Sequence, residues 1–211
     1  MNMSQEIAKK LLEIHAVTLR NREQLFTWAS GIKSPIYCDN RLTMSYPQVR
    51  DKIAEGFESL ILRHYPQAEV LVGTATAGIP HAAWVSQRMN LPMAYVRTSA
   101  KDHGKKNQIE GCLKLGQKVV VIEDLLSTGG SSMKAVDALR QAGAEVLGVV
   151  GIFTYGFDQV DKVFNAEGIT YHTLTSYDVL LPIAVEMGYV HENDTEILKE
   201  WSKNPYIFTK N

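Results

Sequence analysis

The 211-residue chain is poor in the features that mark disulfide-rich, membrane-spanning or nucleic-acid-binding proteins. Its two cysteines, Cys38 and Cys112, lack metal-ligand spacing, so we expect two reduced thiols in a cytoplasmic protein. No apolar run is long enough to cross a bilayer, and the first ten residues lack the apolar core of a secretion signal. The net charge of −1 gives no general attraction to nucleic acid. We therefore expect neither a nucleic-acid partner nor a membrane partner.

The composition is that of an ordinary globular protein, with 45% hydrophobic and 21% charged residues. A chain of this length can bury a full core, and we found no internal repeat or low-complexity segment. The sequence therefore predicts a single domain over residues 1–211.

Helical and strand-like patterns alternate along much of the chain. The predicted helices cover residues 4–14 (with Ser4 as N-cap), 47–62, 79–89, 133–140, 178–187 and 194–202. The predicted strands cover 36–38, 69–72, 92–96, 119–122 and 145–153. This alternation predicts an α/β fold with a central, mostly parallel sheet flanked by helices. Ligands of such folds bind at the carboxyl ends of the strands, where the loops 73–78, 97–111 and 124–131 are expected.

The segment after the strand at 119–122 contains the most informative motif. Glu123 and Asp124 follow this strand directly, and the small-residue loop 127–131 leads into a helix. The N-terminus of a helix after such a loop suits a phosphate, and the carboxylates can accept hydrogen bonds from hydroxyl groups. A P-loop is excluded because no lysine follows Gly130, and the dinucleotide fingerprint is absent because the glycines are adjacent. The pattern therefore indicates a ribose 5-phosphate.

The predicted loop 97–111 is strongly cationic in its first half. Residues 97–106 carry four cations against one anion, not counting His103. A solvated surface loop is one interpretation. The other is a functional lid, because long irregular loops often bind ligands and this one follows a buried strand that ends at the expected site.

The segment 119–132 resembles the phosphoribosyl-pyrophosphate (PRPP) signature of the type I phosphoribosyltransferases. This resemblance implies a type I fold with a small N-terminal hood, formed by about residues 1–45, over a core of about 46–211. It also implies that Glu123 and Asp124 bind the ribose hydroxyls. The phosphate loop would then consist of Leu125, Leu126, Ser127, Thr128, Gly129, Gly130 and Ser131.

Two further motifs resemble the orotate branch of that family. Arg97-x-x-x-Lys101-Asp-His103-Gly is similar to its catalytic loop, and residues 26–31 with 34–37 are similar to its hood over the base. The resemblance implies transfer of the phosphoribosyl group from PRPP to orotate, giving orotidine 5′-phosphate and pyrophosphate in de novo pyrimidine biosynthesis. Arg97, Lys101 and His103 would bind PRPP and neutralise the charge that grows on the leaving pyrophosphate.

The resemblance also implies a cofactor and a partner. Mg2+ would be held mainly by substrate phosphates and water, with Asp124 as a candidate protein ligand. In the family the lid serves the neighbouring subunit, which implies a homodimer in which Lys101 acts across the interface.

The chain departs from the family pattern near the base and the pyrophosphate. Ala77 and Thr98 stand where many members have a cation, and Ala29 stands where some have a lysine. Tyr155 stands where some have an arginine for the orotate carboxylate. The expected orotate ligands are therefore Ser127, Lys33 and Tyr37, together with backbone N–H groups of residues 30–37. Two alternatives stay open, a purine-base enzyme of the same fold and a non-catalytic PRPP-binding regulator.

Several aromatic and histidine residues have simpler interpretations. Trp28 and Phe26 could stack on a base or pack beneath the hood. Trp84 and Met89 are expected in the core. The histidines at positions 15, 64, 81, 172 and 191 are expected to be isolated surface or hydrogen-bonded residues rather than ligands.

Overall fold

The computed structural model describes residues 1–20, 24–28, 31–98 and 108–209. The helices in this part are α1 (Met3–Glu13), α2 (Pro47–His64), α3 (Gly78–Met89), α4 (Gly130–Gln141), α5 (Asp158–Ala166), α6 (Tyr177–Glu186) and α7 (Thr195–Lys203). The strands are β1 (Val17–Leu19), β2 (Phe26–Thr27), β3 (Lys33–Ser34), β4 (Ile36–Cys38), β5 (Val70–Thr74), β6 (Met93–Val96), β7 (Ile109–Glu110), β8 (Lys118–Leu126), β9 (Glu145–Thr154) and β10 (Thr170–Ser176). Short 3-10 helices cover Asn40–Ser45 and Glu192–Asp194.

The central sheet has the strand order β10-β9-β8-β5-β6-β7 within the described residues. Neighbouring strands run parallel from β10 to β6, and β7 joins the edge antiparallel to β6. This confirms the predicted α/β fold with a mostly parallel sheet. From the central pair β5 and β8, the chain adds β6 on one side and β9 and β10 on the other. The crevice at such a reversal of strand order is where open α/β sheets bind ligands.

The apolar run of β8 is buried on both faces of the sheet. Val120 and Ile122 pack into one hydrophobic cluster, which includes residues of α1, α2, α3, α6 and α7. Val119 and Val121 pack into a second cluster, which includes residues of α4 and α5. Side chains alternate between faces along a strand, so a strand covered on both sides reads as a continuous apolar run. Helices on both faces follow from this pattern, as the sequence predicts.

The hood consists of short antiparallel pairs at the carboxyl edge of the sheet. β1 pairs with β4, and β2 pairs with β3. The 3-10 helix that follows β4 is tied to the sheet because the Asn40 side-chain amide donates to the Asp124 carbonyl oxygen at 2.6 Å. The hood strands therefore lie beside the acidic end of β8.

The expected N-cap of the first helix was wrong. The cap is Asn2, whose side-chain oxygen accepts from the Gln5 backbone N–H at 3.0 Å, while the Gln5 side chain accepts from the Asn2 N–H at 3.0 Å. This reciprocal capping box satisfies two backbone donors, which Ser4 inside the helix cannot do.

Several strand limits also differ from the prediction. β8 continues to Leu126, because its last residues pair with β9, so Glu123 and Asp124 belong to the strand and do not follow it. Residues 97–111 are not loop throughout, since Ile109 and Glu110 pair with β6, and the cationic part 99–107 lies outside the described residues. Helix α5 and strand β10 were not predicted. Within the described ranges, every helix is too short or too polar to serve as a membrane span.

Candidate functional site

Glu123 lies near the carboxyl end of β8, and its carboxyl group is hydrogen-bonded inside the protein. The side chain is buried, with 5% exposure. Its Oε1 accepts a hydrogen bond from the Thr74 hydroxyl at 2.7 Å, and its Oε2 accepts one from the Ser132 hydroxyl at 3.1 Å. Because Thr74 ends β5 and Ser132 lies in the first turn of α4, this single carboxylate joins the segments that surround the crevice.

Asp124 is the neighbouring carboxylate and lies nearer the hood. Burial raises the pKa of Asp124 above its usual range, and hydrogen bonds from Glu123 and from backbone N–H groups oppose this rise only in part. Burial, reinforced by the Asp124 carboxylate, raises the pKa of Glu123 to about 8. Two buried carboxyl groups this close do not both ionise readily, so the pair retains a proton near neutral pH. We infer that the more deeply buried Glu123 carries it.

The segment from Leu125 to Ser131 forms the turn between β8 and α4. Gly129 precedes the helix in the left-handed conformation, with φ +81°, and no side chain caps the helix. The first intrahelical bond runs from the Met133 N–H to the Gly129 carbonyl oxygen at 3.0 Å. The N–H groups of Gly130 and Ser131 precede that bond at the positive end of the helix dipole, where an anion is favoured. The local geometry therefore suits a phosphate.

A cavity of about 210 Å³ opens on one side of this turn. It lies among the end of β5, the end of β6 and the first turns of α4, and its charged lining residues are Arg97 and Lys134. Arg97 is held in place because its backbone N–H donates to the Gln108 carbonyl oxygen at 2.8 Å, and its guanidinium lies 3.8 Å from the Glu110 carboxylate. The sequence analysis missed Lys134, whose position on the first turns after the phosphate loop is the signal that could have found it.

A second pocket of about 400 Å³ opens on the hood side of the turn. It is lined by Thr27, Trp28, Tyr37, Cys38, Leu125, Ser127 and Tyr155. Tyr37 and Ser127, two of the predicted base ligands, therefore face one pocket. Lys33, the third, is connected to the pocket through Thr27 of the lining, because its Nζ donates to the Thr27 hydroxyl at 2.8 Å. A partly apolar pocket with aromatic rings and a few hydroxyl groups is suited to a planar heterocycle.

Packed aromatic side chains form the floor of the second pocket. The ring of Trp28 lies 4.9 Å from that of Tyr155 and 5.8 Å, edge-on, from that of Trp201. Trp201 is fully buried, and its indole N–H donates to the Lys33 carbonyl oxygen at 3.2 Å. Helix α7 thus supports the hood from beneath. The sequence analysis missed Trp201, because nothing in the local pattern of α7 indicates a contact with Trp28 or Lys33.

Tyr155 cannot replace the charge of the arginine found in some family members. It is 3% exposed, and burial raises the pKa of its hydroxyl well above the usual value, so the group is neutral. Trp28 packs against this ring and also lines the pocket, so both interpretations of Trp28, packing and facing a base, agree with its position.

The histidines are less isolated than expected. His64 and His172 stack with ring centroids 3.6 Å apart. His81 is buried in the first turn of α3, where its Nε2 lies 3.3 Å from the Thr43 hydroxyl. Burial lowers the pKa of His81 to about 4, so this side chain is neutral at physiological pH.

The side chains around the turn offer few ligands to Mg2+. The residues that the structure describes contain no group of three or more His, Cys, Asp or Glu side chains that could hold a metal ion. Asp124 is a single carboxylate at the edge of the phosphate turn. Such a donor set fits an ion that keeps several waters and is held largely by substrate phosphates.

The candidate site thus consists of an acidic pair near the end of β8, a turn suited to a phosphate, and a pocket on each side of that turn. The family model for the phosphoribosyl transferase domain matches residues 45–170, more than half of the chain. Fold and site therefore define the class of the protein, a phosphoribosyltransferase.

Individual relatives refine this class. An orotate phosphoribosyltransferase of Listeria innocua is 57% identical over 210 residues, and the match covers 100% of both chains. The crystal structure of an orotate phosphoribosyltransferase from Aeropyrum pernix superimposes with a TM-score of 0.76 at 27% identity, covering 87% of this chain and 99% of that one. A Leishmania donovani UMP synthase superimposes with a TM-score of 0.80 at 30% identity, over 95% of this chain and 42% of its own. The chain belongs to the orotate phosphoribosyltransferase family.

Proposed function

We propose that this chain transfers the 5-phosphoribosyl group from PRPP to orotate in pyrimidine biosynthesis. In this reaction the bond from the anomeric carbon to a pyrophosphate oxygen breaks, and pyrophosphate leaves with the electron pair. A ring nitrogen of orotate forms the new bond and loses its proton. The main support for this proposal is the position of the acidic end of β8 and the phosphate turn, which lie between a cationic cavity and an aromatic pocket.

The substrate groups are assigned by the chemistry of each part. The 5-phosphate is assigned to the turn from Leu125 to Ser131, where the free N–H groups of α4 begin. The ribose hydroxyls are assigned to Asp124, which is positioned by Glu123 through the strand and by the hood. Glu123 therefore acts mainly as support, because its oxygens already accept hydrogen bonds from Thr74 and Ser132.

The pyrophosphate is assigned to the cavity beside Arg97. A guanidinium offers several N–H donors to phosphate oxygens, and Lys134 adds a second positive charge to the same lining. We also assign Lys101 and His103 of the predicted lid to the pyrophosphate. Both residues lie outside the described part of the chain. Together these cations would neutralise the charge that develops on the leaving group in the transition state.

Orotate is assigned to the pocket beneath the hood. Trp28 and Tyr37 offer ring surfaces, and Ser127 offers a hydroxyl between the phosphate turn and the pocket. The Lys33 ammonium is the cation available for the orotate carboxylate, since its Nζ already reaches Thr27 in the pocket lining. Lys33 would then take the place of the arginine that some family members have where this chain has Tyr155.

The cofactor, assembly and location complete the proposal. Mg2+, when bound, would neutralise pyrophosphate oxygens, with Asp124 as the protein group nearest the ribose. We treat residues 1–211 as one catalytic domain, a hood of about 1–45 over a core of about 46–211, which pairs as a homodimer that shares its lids. The free thiols of Cys38 and Cys112 suit a reducing compartment, and we place the enzyme in the cytoplasm.

The reaction is tested by the loss of orotate ultraviolet absorbance with PRPP and Mg2+, in parallel with adenine, hypoxanthine and uracil. We expect turnover of orotate alone. Turnover of a purine would leave the PRPP site in place but contradict the assignment of the hood pocket. PRPP binding without turnover of any base would support a regulator and overturn the catalytic proposal.

The assignment of Lys101 is tested by Lys101→Ala. Loss of one cation that stabilises the transition state should lower kcat by roughly 10²–10³-fold, as measured by the same absorbance assay. Lys105→Ala removes the same charge from the same segment and serves as the matched control. A near-normal rate for Lys101→Ala would remove Lys101 from the mechanism.

A further inference from the structure

We propose that Asn40 is a positioning residue for the transfer reaction, whose side-chain amide holds the Asp124 peptide so that the Asp124 carboxylate meets the ribose. The inference rests on the proposed function, because it takes Asp124 as the ribose ligand.

Both ends of the Asn40 amide are engaged inside the protein. The residue is 1% exposed at the start of the 3-10 helix after β4. Its Nδ2 donates to the Asp124 carbonyl oxygen at 2.6 Å, a short distance for this type of hydrogen bond. Its Oδ1 accepts from the Cys38 thiol, with Sγ at 3.3 Å. Since donor and acceptor are both occupied, the amide has one preferred orientation.

The position of this bond in the sheet explains its importance. The pairing of β5 with β8 ends at Gly73 and Ile122, two residues before Asp124. Strand β8 therefore extends past its neighbour on that side, toward the crevice. Beyond the end of β5, the Asn40 amide of the hood donates to the Asp124 carbonyl oxygen. This bond matters because a carbonyl group that is shielded from water and lacks a donor is unfavourable.

The same network continues from the 3-10 helix to α3. The Thr43 hydroxyl donates to the Asn40 carbonyl oxygen at 2.6 Å and lies 3.3 Å from Nε2 of His81. His81 belongs to the first turn of α3, shortly after the end of β5. Only the Asn40 side chain reaches Asp124 in this chain of contacts, so Thr43 provides a matched control in the same buried region.

The test replaces Asn40 with leucine, which has a similar size but neither donor nor acceptor. We expect the dissociation constant for PRPP, measured calorimetrically with Mg2+, to rise about tenfold, the order expected for a lost buried hydrogen bond. The dissociation constant for inorganic pyrophosphate should stay unchanged, because pyrophosphate lacks the ribose. In steady-state assays KM for PRPP should rise while kcat changes by less than about threefold. Asn40→Ala provides a second variant should the leucine variant not fold.

Two controls separate positioning from general damage. Thr43→Val removes a buried hydroxyl but leaves the Asn40 amide in place, so it should lower the melting temperature and keep wild-type PRPP affinity. Asp124→Asn tests the ribose assignment itself and should weaken PRPP binding.

Wild-type PRPP affinity in both Asn40 variants, with weak binding in Asp124→Asn, would overturn the positioning role alone. Equal weakening of PRPP and pyrophosphate binding in the Asn40 variants would also overturn it. Normal PRPP binding by Asp124→Asn would show that the ribose assignment is wrong, and the inference would fail with it.

Discussion

A single side chain, that of Glu123, connects the end of β5, the end of β8 and the first turn of α4. In the sequence it forms an acidic pair with Asp124, and the two look equivalent. In the structure Glu123 is buried and hydrogen-bonded inward, whereas Asp124 lies beside the hood. The Glu123 oxygens already accept hydrogen bonds from Thr74 and Ser132, so two neighbouring carboxyl groups take different roles.

The raised pKa of Glu123 predicts a pH dependence of stability. Its folded-state pKa of about 8 lies above the ordinary value of 4.5, so the folded protein binds a proton that the unfolded chain releases between these values. The free energy of unfolding should therefore fall as the pH rises through this window, by at most about 1.4 kcal/mol per pH unit. Glu123→Gln stays neutral and should flatten the decline, as measured by urea unfolding at pH 5 to 8.

The control for this experiment is Asp137→Asn, which removes a carboxylate from an exposed position of α4. It should keep the wild-type decline. If Glu123→Gln shows the same slope as the wild type, the buried carboxyl group does not hold the proton, and the pH dependence must come from Asp124 or elsewhere.

Helix α4 depends on the backbone conformation just before its first turn. Gly129 has φ +81°, and a Cβ atom at this position would lie 3.0 Å from the Phe164 ring on α5. An L-residue there would meet both backbone strain and a packed aromatic ring, so the turn and α5 are mutually constrained. The shape of the phosphate turn therefore depends on a helix that the sequence analysis did not predict.

We expect Gly129→Ala to lower the free energy of unfolding by about 1–2 kcal/mol, because alanine is strained in the left-handed backbone conformation. Contact of the new Cβ atom with Phe164 should lower it further. The measurement is chemical unfolding, with calorimetric phosphate binding as a second readout that should also weaken. Gly130→Ala is the matched comparison for stability, because a Cβ atom there meets nothing within 4 Å and alanine favours a helix. Equal stability of the two variants would contradict the constraint.

The pocket proposed for the base is formed by elements that are distant in the sequence and that the fold brings together. Its floor contains Trp28 from the hood and Tyr155 after β9, and both contact Trp201 of α7. The Trp201 indole also donates to the Lys33 backbone. Aromatic pairs in this arrangement contribute stability in addition to that gained by burying their apolar surface. Helix α7 therefore helps to hold the hood in position.

For the whole molecule, the proposed sharing of lids across a dimer predicts complementation. Lys101→Ala and Asp124→Asn subunits should each be nearly inactive alone. In a mixed dimer, the lid of the Asp124→Asn subunit would cover the intact crevice of its partner and restore one site. Symmetric re-association of an equal mixture should then give about a quarter of wild-type activity.

The check is an activity assay after the two variants are unfolded and refolded together, with each variant refolded alone as the control. Activity no greater than the sum of the separate samples would show that each lid serves its own subunit.

The local sequence pattern was sufficient for the sheet and the phosphate turn. The strand at 119–122, the acidic pair and the small-residue loop are contiguous, and their order implies strand, turn and helix without reference to the rest of the chain. The strand bounds were less accurate, because the last four residues of β8 are strand through their pairing with β9. Strand pairing is a long-range property that periodicity does not reveal.

Contiguous residues thus determined the class of fold, the turn proposed to bind phosphate and the family resemblance. The different environments of Glu123 and Asp124, the support of the hood by Trp201 and the bond from Asn40 to Asp124 depended on contacts between residues far apart in the chain. Burial and hydrogen-bond geometry arise only when those segments pack. For this reason the sequence identified which groups could do the chemistry, and the folded structure decided which of them face the crevice.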